Sequence, residues 1–170
     1  MKKLLNASLA VAVLALAIFS SCSKGSNGAT GATGPAGPDS VFSSGWFTLA
    51  MHDSVVAVGD TIFVEGVTTP NVTQGILDSG VVLAYIAVDD ANGNTIEENA
   101  AVDMEITMSV GYLYLQSSSD YSQVSFRYVV IPGKDVATIA STTGLTRSEL
   151  QKLSPDKLSA ALKTAGISSN

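Results

Sequence analysis

A succession of short β-patterned segments over residues 41–133 most constrains the fold of this chain. The segments are rich in β-branched and aromatic residues, and turn pairs such as Gly59-Asp60 and Asn92-Gly93 separate them. We count about seven or eight such strands. Short strands joined by frequent turns favour antiparallel pairing. The sequence therefore predicts a mainly β fold, an antiparallel β-sandwich or open barrel with a short C-terminal helical pair.

Two of these segments carry different burial patterns. Residues 81–88 form a continuous apolar run, which is typical of a strand covered on both faces. In the last segment, Val124, Phe126, Tyr128 and Val130 share one strand face. We therefore expect structure on both sides of residues 81–88 and a core-directed face on the later strand.

Residues 134–170 form a tail with two helix-start signals. Thr146 and Glu149 have the spacing of a capping box, and Ser154-Pro155 places a cap residue before a proline. One face of the helix that follows the proline carries four apolar residues: Leu158, Ala161, Leu162 and Ala165. We expect two short helices that pack on the β-rich domain of residues 41–133.

The charged residues are unevenly distributed. The chain has 9 Lys and Arg against 15 Asp and Glu, a formal net charge of −6. No Lys or Arg occurs between Lys24 and Arg127, whereas twelve acidic residues do. Because binding to nucleic acid needs a basic patch, we expect no nucleic-acid partner. Scattered carboxylates favour solubility of an exported protein; cation binding and docking of the basic tail are the alternatives.

The N-terminus has the pattern of an export signal that ends at the only cysteine. Two lysines precede the mostly apolar residues 4–19, a length typical of a signal peptide and short for a membrane span. The small residues before Cys22 resemble the lipobox of bacterial lipoproteins, with Phe19 where leucine is usual. The resemblance implies a signal peptide over residues 1–21 and attachment of palmitate-type acyl chains to Cys22. These acyl chains would hold the protein on the cell envelope, and we expect the membrane that they enter to be the outer membrane.

Glycine recurs at every third position from Gly25 to Gly37, as in collagen. The stretch is very short for a stable triple helix. We therefore expect residues 22–40 to form an extended, flexible spacer after the lipidated cysteine. A short triple helix is the alternative, so the chain is expected to be a monomer or a trimer.

Residues 74–85 and 126–133 resemble recurring segments of small lipoproteins from Bacteroidetes-type bacteria. Those proteins also tend to carry a collagen-like stretch after the lipidated cysteine. The resemblance covers most of the mature chain. It implies an envelope address and a β-rich domain, and it adds nothing about chemistry.

One acidic loop is a candidate calcium site. Four side chains offer oxygen ligands at short spacing: Asp89, Asp90, Asn92 and Asn94. An EF-hand loop that began at Asp90 would need Gly at its sixth position and Glu at its twelfth. The chain has Thr95 and Ala101 at these positions. A hairpin turn explains the loop without a metal, so we expect no cofactor and keep calcium as the alternative.

The sequence contains only weak signs of a catalytic site. His52 is followed by Asp53 and Ser54, but neighbours on a strand point to opposite faces, so this order predicts no triad. The sequence has no Gly-x-Ser-x-Gly elbow, and no pair of carboxylates stands out. We therefore predict no catalytic residues. Arg127 lies in an apolar strand, where we expect it to form a structural ion pair with a carboxylate.

Three Asp-Ser/Thr-apolar triplets resemble O-glycosylation acceptors of the same bacterial group. They make Ser40, Ser54 and Thr61 candidate glycosylation sites. An intact mass of the native protein would show any added hexose.

Together these patterns predict a lipid-anchored cell-envelope protein with a non-catalytic binding, adhesion or structural role. Its expected partners are the membrane, through the N-terminal lipid, and a protein or glycan at the cell surface. Two alternatives stay open: an exported enzyme that acts on glycans through carboxylates, and a calcium-stabilised adhesin.

Overall fold

The structure is a computed structural model that describes residues 39–57 and 60–168. The expected signal peptide, Cys22 and the collagen-like glycines lie outside these residues. Within the described ranges, no helix combines the length and the apolar character that a membrane crossing requires.

Strands dominate the described residues, and helices follow them toward the C-terminus. The strands are β1 (Phe42–Ser43), β2 (Phe47–Thr48), β3 (His52–Ala57), β4 (Asp60–Thr68), β5 (Val81–Asp89), β6 (Thr95–Asn99), β7 (Glu105–Ser109), β8 (Tyr112–Ser117) and β9 (Ser125–Ile131). The helices are α1 (Gln74–Ser79), a 3-10 turn (Ala100–Val102), α2 (Gly133–Thr143), α3 (Arg147–Leu150) and α4 (Pro155–Thr164).

The strands form two antiparallel sheets. Sheet A has the order β1-β9-β5-β6, with β2 also paired to β9, and sheet B has the order β3-β4-β8-β7. No strand of the described residues joins the two sheets into a closed barrel. The prediction of a mainly β fold is therefore confirmed. Of the two predicted architectures, a sandwich and an open barrel, the structure has the sandwich.

A first core lies between the sheets. Sheet A contributes Val82, Ala84, Ile86, Phe126, Tyr128 and Val130, and sheet B contributes Val67, Leu113 and Leu115. The face predicted for β9 is confirmed, since its even-numbered residues from Phe126 to Val130 are buried there.

A second core covers the other face of sheet A. The alternate residues of β5 and β9 pack there against helical side chains: Val81, Leu83, Tyr85, Val129 and Ile131 meet Val136, Ile139, Leu158 and Leu162. Because β5 has a core on each side, it needs no polar face. This confirms the reading of the apolar run as a strand covered on both faces.

Helix α2 has no counterpart among the helices predicted from sequence. Its segment is rich in threonine and other β-branched residues, which have modest helix propensity. Burial of Val136 and Ile139 against sheet A stabilises the helix instead. Thr138 and Thr143 hydroxyls donate to backbone carbonyls one turn back, and Gly144 ends the helix in the left-handed conformation.

Some local predictions are wrong. The pattern of residues 45–51 predicts one strand, but Gly45 lies at φ 71° and only Phe47–Thr48 is a strand there. The pattern of residues 73–79 predicts one or two helical turns, with Thr73 as a cap and Gly80 as a left-handed stop. Helix α1 forms there, but the Thr73 side chain makes no capping hydrogen bond and Gly80 is extended, at φ −82°. The Ser154 side chain likewise makes no capping hydrogen bond to α4.

Side chains tie the tail to the sandwich. Arg147 donates to the carbonyls of Leu77 and Asp78 at the end of α1, at 2.8 and 3.0 Å. Asn99 Nδ2 donates to the Gln151 carbonyl at 2.9 Å. The predicted capping box of α3 is confirmed, and the tail contains three α-helices where two were expected.

Candidate ligand-binding cleft

A cleft of about 670 Å³ lies between sheet A and α4, on the helical side of the sheet. The sheet contributes Ser43, Tyr85, Arg127 and Val129 to its lining. Helix α4 and the residues after it contribute Pro155, Leu158, Ser159, Leu162, Lys163, Ile167 and Ser168. We call it the Arg127 cleft. Its size falls in the range usual for small-molecule sites.

Arg127 lies at the sheet side of this cleft, directly opposite Tyr85 in the β5–β9 register. Its Nη2 lies 2.9 Å from Glu97 Oε2, so the pair spans the intervening strand β5. The structure therefore gives the sequence-predicted arginine a carboxylate partner. The two side chains are 24% and 41% exposed, so the pair lies at the edge of the core rather than inside it.

Two aromatic rings hold the guanidinium in place. Arg127 Cζ lies 4.6 Å from the ring centroid of Trp46 and 5.5 Å from that of Tyr85. Both distances are within the reach of a cation–π attraction. Trp46 is 39% exposed, whereas Tyr85 is fully buried. The arginine side chain therefore lies close to one exposed ring and one buried ring.

Two residues that line the cleft each have a buried polar atom without a hydrogen-bond partner among the described residues. These atoms are Tyr85 Oη and Arg127 Nε. Most buried polar groups in proteins are hydrogen-bonded, so two such atoms on neighbouring strands are unusual. Burial raises the pKa of the Tyr85 phenol, and the nearby Arg127 charge only partly opposes this. Tyr85 therefore stays protonated.

The remaining lining is mixed in character. Lys163 adds a second positive charge, and three serine hydroxyls add hydrogen-bonding capacity. None of the described lining residues is His, Cys, Asp or Glu. The cleft therefore offers positive charge, hydroxyl groups and apolar surface.

The acidic loop of the calcium hypothesis joins β5 to β6. Asp90 Oδ1 accepts the backbone N–H groups of Asn92 and Asn94 at 2.8 and 2.9 Å. These hydrogen bonds, those from Asn94 first, hold the pKa of Asp90 below its usual value. Asp89 Oδ1 accepts from the Thr95 hydroxyl. Among the described residues, no three acidic, His or Cys side chains converge as a metal site would need.

The other sequence candidates are dispersed. Ser40 is exposed ahead of β1, while Ser54 and Thr61 lie on the adjacent strands β3 and β4, half-buried and exposed. His52 is exposed at the start of β3. The glycosylation hypothesis stays a prediction.

One carboxylate pair escaped the sequence reasoning. Burial, and then the negative charge of Asp103, raise the pKa of Glu98. Both residues also act on Tyr121, where burial is the main cause of a raised pKa. Neither carboxylate lines the Arg127 cleft or a second, mostly apolar cavity of about 400 Å³ beside Met104 and Met108. The glycan-enzyme alternative thus has a pair of carboxylates in proximity, but the pair lines neither of these two cavities.

The Arg127 cleft also escaped the sequence reasoning, although one signal was present. A tyrosine inside an apolar run covered on both faces must bury its hydroxyl, and that hydroxyl needs a partner. Sequence alone does not show that Arg127 is the residue beside it.

Comparison with known proteins finds no matching family model, no matching curated protein and no matching solved structure. The geometry of the cleft and the N-terminal sequence pattern therefore carry the functional argument.

Proposed function

We propose that this chain is a lipid-anchored cell-envelope protein whose folded part binds a small molecule in the Arg127 cleft and does not transform it. The observation that carries the binding role is the cleft of about 670 Å³ between sheet A and α4, in which two cationic side chains, Arg127 and Lys163, stand beside apolar ones. The lipidated address rests on the sequence, with Cys22 at the end of an export-signal pattern.

Metabolic labelling tests the anchor. Cells that express the full-length protein are supplied with labelled palmitate, and the wild type is compared with Cys22→Ala. Ser21→Ala is the matched control, because it changes the preceding residue and keeps the thiol. We expect label in the wild type and in Ser21→Ala only. Label that persists in Cys22→Ala, or an unlabelled wild type, would overturn the anchor.

Thermal protection tests the binding role. A ligand that binds only the folded state raises Tm. The dialysable small-molecule fraction of the producing cells is added to full-length protein in neutral detergent, and Tm is recorded. We expect protection of the wild type and of Lys157→Gln, whose lysine is exposed on α4 and does not line the cleft. Lys163→Gln, which removes a positive charge from the lining, should be protected less. Absent or equal protection in all three proteins would exclude binding at this cleft.

A further inference from the structure

We propose that the outer face of sheet B binds a neutral glycan, whose sugar rings stack on the side chains of Tyr112 and Tyr114. The outer face is the side of the sheet that points away from the first core. This proposal goes beyond the Arg127 cleft and uses none of the residues that line it.

The two tyrosines lie on the same side of strand β8. Their neighbours Leu113 and Leu115 are fully buried in the first core. Tyr112 and Tyr114 alternate with these leucines and are 40% and 39% exposed. Residues two apart on a strand share a face and lie about 7 Å from each other. The two side chains therefore form a short aromatic row on the outer face.

Gly66 allows the Tyr112 side chain to lie along the sheet. In the β4–β8 register, Gly66 pairs with Tyr114 and Thr68 pairs with Tyr112. A Cβ atom at Gly66 would overlap the Tyr112 hydroxyl and would lie 3.2 Å from the ring carbon Cε2. The Tyr112 ring therefore leans from β8 across the glycine of β4 instead of standing away from the sheet. A ring that lies on the backbone and is still 40% exposed offers a flat surface to a ligand.

The side chains beside the two rings are polar, and only one of them is charged. The neighbouring strands contribute these cross-strand partners and the row next to them: Thr68, Glu105, Thr107, Ser109 and Gln116. A neutral sugar has an apolar C–H face, which can pack on an aromatic ring, and hydroxyl groups that donate and accept hydrogen bonds at its rim. Aromatic rings flanked by hydroxyl and amide groups match both parts of such a ligand.

The charges of sheet B argue against an anionic ligand. All four strands of sheet B lie between Lys24 and Arg127, where the sequence contains no Lys or Arg. An anionic polymer or a lipid phosphate would find no positive side chain on these strands and would meet the Glu105 carboxylate. The glycan is therefore a neutral one.

The area of the outer face argues against a second copy of this chain as its occupant. Sheet B has four strands, and β8 has six residues. With strands about 4.8 Å apart and a rise of about 3.4 Å per residue, the face covers about 400 Å². A stable protein interface needs about 800 Å² from each partner. A short oligosaccharide needs only the aromatic row and its hydroxyl neighbours.

Isothermal titration calorimetry tests the proposal. Full-length protein in a polyoxyethylene detergent, which contains no sugar, is titrated with cellohexaose, maltohexaose and hexagalacturonate. The first is an extended neutral chain, the second a coiled neutral chain and the third an anionic chain. We expect saturable binding of at least one neutral chain, at least about tenfold tighter than that of hexagalacturonate. Absence of binding by both neutral chains would overturn the proposal, and so would equally tight binding of hexagalacturonate.

Variants place the glycan on sheet B. Tyr112→Ala and Tyr114→Ala each remove one ring and should bind at least about tenfold more weakly. Tyr112→Phe keeps the ring and should remain within about threefold of the wild-type affinity. Ile96→Ala is the matched control, because Ile96 is 42% exposed but lies on sheet A. Equal affinities of Ile96→Ala and the two tyrosine-to-alanine variants would overturn the placement.

Gly66→Ala displaces the Tyr112 ring without removing it. The three nearest atoms that the new Cβ would meet all belong to the far end of the Tyr112 side chain, so the backbone need not shift. We expect little change in Tm and an affinity for the neutral glycan at least about threefold weaker. An unchanged affinity would overturn the stacking argument.

Sedimentation velocity of the protein without glycan tests the other occupant. We expect the same oligomeric state for the wild type and Tyr112→Ala. A dimer that Tyr112→Ala dissociates would assign the outer face to a second copy of this chain and would overturn the proposal.

Discussion

Gly80 tests whether the junction of α1, β5 and β9 is as tight as the structure shows. A Cβ at this position would lie 2.6 Å from the Ile131 carbonyl oxygen and 3.0 Å from that of Ile76. Ordinary contacts begin near 3.4 Å. Both oxygens belong to the backbone, and the Gly80 N–H already donates to Ile76 O at 2.8 Å. Relief therefore requires a shift of the end of β9 or of α1. The backbone itself is unstrained, at φ −82°.

Gly80→Ala should therefore act purely through steric overlap. Overpacking of this kind costs about 2–3 kcal/mol in the free energy of unfolding. For a domain of this size each kcal/mol lowers Tm by about 4 °C, so we expect a decrease of about 8–12 °C. The assay is thermal unfolding of the full-length protein followed by circular dichroism, with denaturant titration as a second measure.

Gly75→Ala is the matched control within the same helix. Its Cβ would meet only Thr73 Oγ1, at 3.8 Å. Alanine is the better helix former, so this variant should gain about 0.5–1 kcal/mol. A Gly80→Ala protein within about 0.5 kcal/mol of the wild type would refute the steric argument. Destabilisation of both variants to the same extent would refute it too, since the loss would then be a general property of α1.

Three further perturbations have defined outcomes. Arg127→Ala removes a partly exposed ion pair and two cation–π contacts, so we expect a loss of about 1–2 kcal/mol by denaturant titration, and an unchanged midpoint would contradict it. Thr146→Ala removes the capping box and should cost about 1 kcal/mol, whereas Ser148→Ala should cost little. Asp90 has a folded-state pKa below its ordinary 3.8, so its contribution is present above that value and is lost as pH falls through the lower one. Asp90→Asn should therefore flatten the acid loss of stability, and an NMR titration midpoint at or above 3.8 would contradict the shift.

The strands were predictable because their burial is regular. Residues 81–88 are apolar throughout and have a core on each side. In β9, Phe126, Tyr128 and Val130 are buried on the predicted face, while Val129 and Ile131 are buried in the second core. The hairpin at Asn92-Gly93 also forms, with Gly93 at φ 79°. These features depend on periodicity and turn chemistry, which are local properties of the sequence.

Helix α2 was harder to predict from the sequence because its stability does not come from local residue preferences. Its threonines favour other conformations, and only the packing of Val136 and Ile139 onto sheet A favours the helix. Gly80 is a second case. A glycine directly after a helix suggests a left-handed cap. The fold requires glycine at this position for another reason, because the Ile131 carbonyl of β9 lies too close for a Cβ atom.

The position of Arg127 follows from the register of sheet A. Phe126 and Tyr128 face the first core, so pairing with β5 places the intervening arginine opposite Tyr85 on the helical side. A slip of one residue would exchange the two faces of β9 and put the guanidinium between the sheets. No acidic residue is buried among those the structure describes, so such a charge would lie in the first core without a partner. The apolar face of β9 and the cost of an unmatched charge therefore select the same register. That register brings Arg127 within reach of Glu97 and Trp46 and makes it part of the lining of the Arg127 cleft.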